Sequence, residues 1–242
     1  MSSDPMDNSA PGSSRRPAAR PGREGGARDV NRKARTAQIS QAAMKLFLER
    51  SIDGVTIDDL TRAAGVAKGS FYRYFDSKEA LVQSIVSPIA ARIRTLMAQC
   101  EADLLQAADP LSLYAAFLRM ALELSPVLQH EPEVVRLYLQ ESRGPAFGDR
   151  RALREMSDEV GEQAIRITLA ARTHGLLRDV PPQVSALAVV GAVERLLFEF
   201  LVGRMSVPAE QIAQAMVTII LEGVVLKDGH SLSSLLPSSN ND

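Results

Sequence analysis

The chain predicts an all-α protein. Apolar residues recur at three- and four-residue spacing along most of its length, almost nothing alternates with period two, and no segment repeats another. Prolines and turn residues cut this pattern at Asp109-Pro110, Pro126, Glu131-Pro132, Arg143-Gly144-Pro145, Pro181-Pro182 and Val207-Pro208. Body helices are therefore expected near 89–107, 111–125, 132–142, 149–173, 182–203 and 207–226.

The head of the chain carries the most complete local chemistry. A first helix is expected over 31–50, with Ile39, Ala43, Leu46 and Phe47 on one face. After a turn at Ser51-Ile52-Asp53-Gly54, Thr56 stands where an N-cap is wanted, with Asp59 three residues on as a short-armed capping box. Val55 and Leu60 have the spacing of a hydrophobic staple. Gly65 suits the left-handed position that closes this helix. About three residues later a second helix is expected over 68–75. It places Phe71 and Phe75 inward and leaves Lys68, Gly69, Ser70, Tyr72 and Arg73 outward. Ser77 then caps a fourth helix. Two short helices joined by a tight glycine-containing turn make a helix-turn-helix. The outward face of its second helix has the donors, and the glycine for close approach, that a DNA major groove accepts.

Residues 32–81 resemble the DNA-binding head of the TetR/AcrR family of regulators. The run from Thr56 through Gly65 and Lys68-Gly69-Ser70-Phe71-Tyr72-Arg73-Tyr74-Phe75 carries the likeness, followed by Ser77-Lys78-Glu79-Ala80-Leu81. The resemblance implies that Lys68, Ser70 and Arg73 read bases or nearby phosphates. It also implies that Tyr72, Tyr74 and Lys78 grip the DNA backbone, and that Thr56 stands at a helix end facing a phosphate. Other roles stay open for some of these: a helix cap for Thr56, packing beside Phe71 for Tyr74, a solvated charge for Lys78. Ser51 and Ile52 stand where the family commonly has glycine and an aromatic residue. Pro88 falls inside the fourth helix, as a packing kink or as a hinge between head and body.

Composition and charge fit this reading. Of 242 residues, 45% are apolar, enough for a sizeable core. The one cysteine excludes an intramolecular disulfide and any multi-cysteine zinc site, and Cys100 reads as a small core residue. No metal and no cofactor are expected. The most apolar stretch, 186–202, is broken by Glu194, Arg195 and Glu199, so no membrane span is expected and the location expected is cytoplasmic. Residues 1–78 carry 14 Lys and Arg against 9 Asp and Glu, and residues 79–242 carry 14 against 20. A basic head on an acidic body points the head toward a polyanion. The expected organisation is a disordered basic tail (1–30), a DNA-binding head (31–87), a helical body for effector binding and dimerisation (88–227) and a disordered tail (228–242).

In the body, the segment 182–203 is apolar nearly all round, with Val184, Leu187, Gly191 and Phe198 on one face. The segment 207–226 carries a stripe that includes Ile212, Met216, Ile219 and Ile220. In the resembled family the corresponding pair forms a four-helix bundle across a two-fold axis, which implies a homodimer on a palindromic double-stranded DNA operator. Tyr114, Phe117, Met120, Tyr138 and Met156 lie on helices that line the ligand cavity in similar proteins, implying a small apolar or amphipathic effector. An effector-independent DNA-binding protein and an activator remain alternatives to a repressor. No His-Glu-x-x-His, Gly-x-Ser-x-Gly or phosphate-cradling Gly-Lys-Ser/Thr loop occurs, and the three histidines are scattered, so no enzyme is expected.

The arm ahead of the first helix yields a test. Residues 1–35 hold Arg15, Arg16, Arg20, Arg23, Arg28, Arg32, Lys33 and Arg35 against four acids. Deleting residues 1–29 is expected to leave the melting temperature nearly unchanged and to weaken DNA binding, most at low salt. Calorimetry and salt-dependent DNA titrations check it, and a large fall in melting temperature would contradict it.

Overall fold

The computed structural model describes residues 26–144, 147–173, 175 and 179–224, with only the backbone given for Ala27, Leu128, Ala209, Ala213 and 220–224. Most of the expected N-terminal tail, the C-terminal tail, His174 and Leu176-Leu177-Arg178 lie outside the described residues. Helices α1 (Ala27–Arg50), α2 (Ile57–Ala63) and α3 (Lys68–Phe71) form the head. A long α4 (Lys78–Gln106) leads into a body of α5 (Pro110–His130), α6 (Pro132–Glu141), α7 (Arg151–Arg172), α8 (Pro182–Leu201) and α9 (Ala209–Val224). A 3-10 turn, Gly148–Arg150, precedes α7. Among the described residues there is no strand.

Local chemistry sets the helix ends. The Thr56 hydroxyl accepts from the Asp59 amide, and the Asp59 carboxylate accepts from the Thr56 amide, closing the expected box. Gly65 takes φ +62° and ends α2. Ser77 caps α4 through the Ala80 amide. Asp109 caps α5 with Pro110 at the first helical position, and α6 and α8 also open on proline.

Three elements differ from expectation, the first being α1, which starts at Ala27 within the segment expected as tail. The second helix of the helix-turn-helix is a single α-turn. It continues as tighter i→i+3 steps, with Arg73 N–H on Ser70 O and Tyr74 N–H on Phe71 O, which still deliver Phe75 to the core. Pro126 lies inside α5 rather than ending it, close enough to the C-terminus that few helical bonds follow it. Pro88 lies inside α4, as expected, and the helix runs unbroken through it with Pro88 exposed. Proline lacks the N–H that would bond the Ser84 carbonyl, and solvent on that side makes the loss tolerable.

Head and body share one core. Ile39, Phe47, Leu60, Phe71 and Leu81 are fully buried, in a cluster that continues through Val86, Val127, Val135, Leu137, Tyr138, Leu153 and Met156. The expected boundary at 87/88 therefore falls within one helix and one core. A second cluster at the far end joins Cys100, Leu104, Leu113, Ala116, Ile167 and Ala171. Burial, helped by Asp103, pushes the Cys100 thiol up to about 12, so it stays protonated and packs as an apolar residue.

A buried polar clasp joins the two parts at the α1–α2 turn. Ser51 has φ 67° and ψ 159°, a region open almost only to glycine. Its hydroxyl accepts from Arg150 Nη2 at 2.9 Å. Arg150 also pairs with Glu141 at 2.8 Å and Asp53 at 3.2 Å, and the Glu141 side chain is only 3% exposed. Lys78 donates to the Ile52 and Val55 carbonyls, each at 2.7 Å, and pairs with Asp149 at 3.0 Å. Arg150→Met removes the guanidinium and leaves the buried Glu141 carboxylate without a cation, facing only the Gln140 amide at 3.2 Å and the Ser51 hydroxyl at 3.5 Å. It is expected to cost about 3–5 kcal/mol, the usual penalty for breaking a buried pair from one side. Urea unfolding at fixed protein concentration checks this, and a loss under about 1 kcal/mol would show Glu141 finding other partners.

Candidate nucleic-acid interface and body cavity

The head presents the expected face in part. Phe71 and Phe75 are buried, which turns Lys68, Gly69, Tyr72 and Arg73 to solvent and leaves Ser70 half-buried. A Cβ at Gly69 would meet nothing within 4 Å, so the backbone there is open to close approach. Tyr72 stands edge-on to Phe71, ring centroids 5.5 Å apart, and this contact orients its exposed ring. Gln38 of α1 donates to the Ala64 carbonyl at 2.8 Å and so anchors the C-terminal end of α2. Lys68 pairs with Asp58 at 2.8 Å, and this hydrogen-bonded contact raises the ammonium's pKa. Both side chains are more than half exposed, so a phosphate could displace Asp58 at little cost.

Three head residues sit differently from the expected DNA grip. Lys78 is only 12% exposed, and its ammonium is engaged by two loop carbonyls and Asp149. It therefore holds the α1–α2 turn rather than facing solvent. Tyr74 packs half-buried against the core. Thr56 directs both its amide and its hydroxyl at the Asp59 carboxylate, so a negative group already occupies the helix end where a phosphate was expected. Those hydrogen bonds hold the Asp59 pKa below the usual carboxylate range. The cap is thus complete above the ordinary carboxyl pKa and is lost as pH falls through the lowered value.

The body encloses a cavity of about 280 Å³ between α4, α5, α6, α7, α8 and α9. Four of the five expected lining residues, Phe117, Met120, Tyr138 and Met156, are in its wall. Tyr114 is not. The α5 stripe 117, 120, 121, 124 faces the space, and one turn earlier Leu113 is already sealed in the far cluster. The expectations missed Glu194, which lines the cavity from α8. The Tyr138 hydroxyl donates to its Oε1 at 2.7 Å, and Arg143 donates to its Oε2 at 3.0 Å. Burial first, then the Glu194 carboxylate, pushes the Tyr138 phenol well above its usual pKa, so it remains a neutral donor. In the sequence Glu194 stands only as an interruption of an apolar stretch. That interruption was itself the available signal.

The residues expected to pair two subunits divide into two groups. Val184 (61% exposed), Leu187 (52%) and Ile219 (64%) lie on the surface, and a Cβ at Gly191 would meet open space. Phe198 is half-buried. Ile212 and Met216 turn inward and line the cavity, so they are lining residues rather than outward anchors. Apolar character along α9 does not by itself tell a cavity wall from an outer face. The side chain of Ile220 lies outside the described residues.

Comparison with known proteins places this geometry. Residues 39–85 match the family model TetR_N, described as bacterial regulatory proteins, tetR family. The HTH-type transcriptional repressor KstR2 of Rhodococcus jostii (strain RHA1) is 40% identical over 52 residues, which is 22% of this chain and 26% of the relative. Three curated relatives at 36–44% identity are matched over only 25–27% of their own length. Solved structures extend the likeness to the body as a fold. NalD, the secondary repressor of the MexAB-OprM multidrug efflux pump in Pseudomonas aeruginosa, superposes with TM-score 0.61 at 20% identity, covering 81% of this chain and 98% of NalD. The SmeT–triclosan complex superposes with TM-score 0.59 at 23% identity, covering 81% and 93%.

On an operator selected from random duplexes, Arg73→Ala and Ser70→Ala are expected to weaken specific binding more than binding to random DNA. Each base contact is worth about 1–3 kcal/mol of discrimination. Competition titrations at several salt concentrations measure it, and equal losses on both DNAs for Arg73→Ala would remove it from the reading face. Lys78→Ala is instead expected to lower the melting temperature, since it releases two loop carbonyls and Asp149.

Proposed function

We propose that this tetR-family DNA-binding regulator is a homodimeric repressor that binds a palindromic operator and is released when a small apolar or amphipathic molecule fills its cavity. One observation carries the reading. The short helix α6 puts Val135, Tyr138 and Leu139 into the cavity wall, and its last residue, Glu141, into the clasp that holds the head's α1–α2 turn. A ligand that moves α6 moves the Arg150 contacts to Ser51 and Asp53, and with them the helix-turn-helix. The names of relatives support the sign and the trigger: KstR2 and NalD are repressors, and SmeT is seen with triclosan. On the DNA side the roles fall to Lys68, Gly69, Ser70, Tyr72 and Arg73.

A second copy of the chain is the partner that the body's outer face suits. Val184, Leu187 and Arg195 are exposed and Gly191 half-buried, at helical spacing along α8, with Ile219 of α9 exposed as well. A single short reading helix spans too few base pairs for genomic specificity, and a two-fold dimer supplies the second half-site.

Gly191→Trp with Ile219→Asp is expected to give a folded monomer that loses operator binding although the head is untouched. Light scattering, circular dichroism and operator titration on one preparation check it. A dimer that still binds would place the interface elsewhere. Ala186→Phe, which projects a ring into the cavity, is expected to keep operator affinity within about threefold and to abolish release by cavity ligands, the result that separates a sensor from an effector-independent DNA binder.

A further inference from the structure

We infer that the cavity is built for an uncharged apolar molecule that ends in a hydroxyl, and that it excludes acids. This rests on the cavity reading above and specifies its ligand. Among the described lining residues the only ionisable groups are Tyr138 and Glu194, with no Lys, Arg or His. The charge on Glu194 is balanced from outside. Arg143, whose side chain is 74% exposed, takes Oε2, while Tyr138 takes Oε1 from within. Toward the cavity, the pair therefore presents a phenol oxygen that can accept and a carboxylate oxygen that can accept a second hydrogen bond.

The other described polar side chains in the wall are three hydroxyls, each in a local hydrogen bond. The Thr168 hydroxyl donates to the Ala164 carbonyl at 2.9 Å, the Ser185 hydroxyl to the Pro182 carbonyl at 3.2 Å, and the Ser125 oxygen accepts from Gln129 at 3.3 Å. These bonds lie within single helices. Among the described lining residues the cavity thus has one ionisable pole, and apart from these three hydroxyls the rest is hydrocarbon or thioether.

The chemistry of that pole selects among ligand ends. An alcohol can donate its one proton to Glu194 Oε1 or to the Tyr138 phenol oxygen, so it brings a single donor and no charge to a pole made of acceptors. A carboxylate only accepts. It would stand beside a second carboxylate with no cation in the wall, and a buried charge without a partner is strongly disfavoured. An alkylammonium brings a full charge and three donors to a pole whose carboxylate charge Arg143 already balances, and it must shed its hydration to do so. At about 280 Å³ the space lies at the low end of small-molecule sites, which suits one compact hydrocarbon body.

The probes are 1-octanol, octanoate and octylammonium, titrated into the full-length protein near neutral pH by calorimetry, with melting temperature as a second readout. 1-Octanol is expected to bind at least about tenfold more tightly than either ion, a gap of about 1.4 kcal/mol. Ala186→Phe is expected to abolish that binding. Glu194→Gln removes the negative charge and keeps an acceptor, so it is expected to narrow the octanol-to-octanoate ratio to within about threefold. If that variant does not fold, the wild-type ratio still decides. Octanoate or octylammonium binding as tightly as octanol, in a manner blocked by Ala186→Phe, overturns the hydroxyl assignment and leaves the cavity standing. Octanol binding that persists in Ala186→Phe, or no binding by any of the three, overturns the cavity reading and this inference together.

Discussion

Two cations hold the turn on which the head depends. Lys78 reaches back from the start of α4 to the carbonyls of Ile52 and Val55, and Arg150 reaches across from the body to Ser51 and Asp53. Between them they satisfy a turn whose first residue, Ser51, takes a backbone conformation that usually demands glycine. Such strain persists where surrounding contacts over-determine it. Here the serine hydroxyl is one of those contacts. Glycine would relieve the backbone but would offer Arg150 nothing at that point.

The head needs this support because its own parts are small. The second helix of the helix-turn-helix is a single turn, far below the length at which a helix holds itself in water. Phe71 and Phe75 pin it to the core, the Thr56–Asp59 box closes the start of α2, and Gln38 bonds the carbonyl at its end. The side chains left outside are thus presented by rigid neighbours rather than by their own helix. Sharing one core with the body also makes the head's position a property of the whole chain.

The body combines two demands on its last helices. α8 is apolar almost all round because one side covers the cavity and the other lies open as a stripe through Val184, Leu187 and Gly191. A cavity forfeits packing that the same side chains could make if collapsed. The long α4–α7 pairing and the sealed cluster around Leu104 and Leu113 offset that loss at the far end. The polar pole at Glu194 then lies where α6, α8 and the Arg143 loop meet, on the side of the body that reaches the clasp.

The sequence by itself determined what depends on neighbours a few positions apart. The Thr56–Asp59 box, the left-handed Gly65, the Ser77 cap and the inward Phe71 and Phe75 all follow from short-range chemistry, and with them the helix-turn-helix. The all-α class follows from periodicity. Only the tertiary structure decided the roles of Lys78, Glu194, Ile212 and Met216. The partners of Lys78 lie 26 and 23 positions upstream, and Tyr138 lies 56 positions from Glu194. A charged side chain reads as solvated until distant segments are seen to enclose it. An apolar stripe records that water is excluded from a face, but the same desolvation serves a core, a cavity wall or a second subunit, and only the packing of six helices separates Ile212 from Ile219.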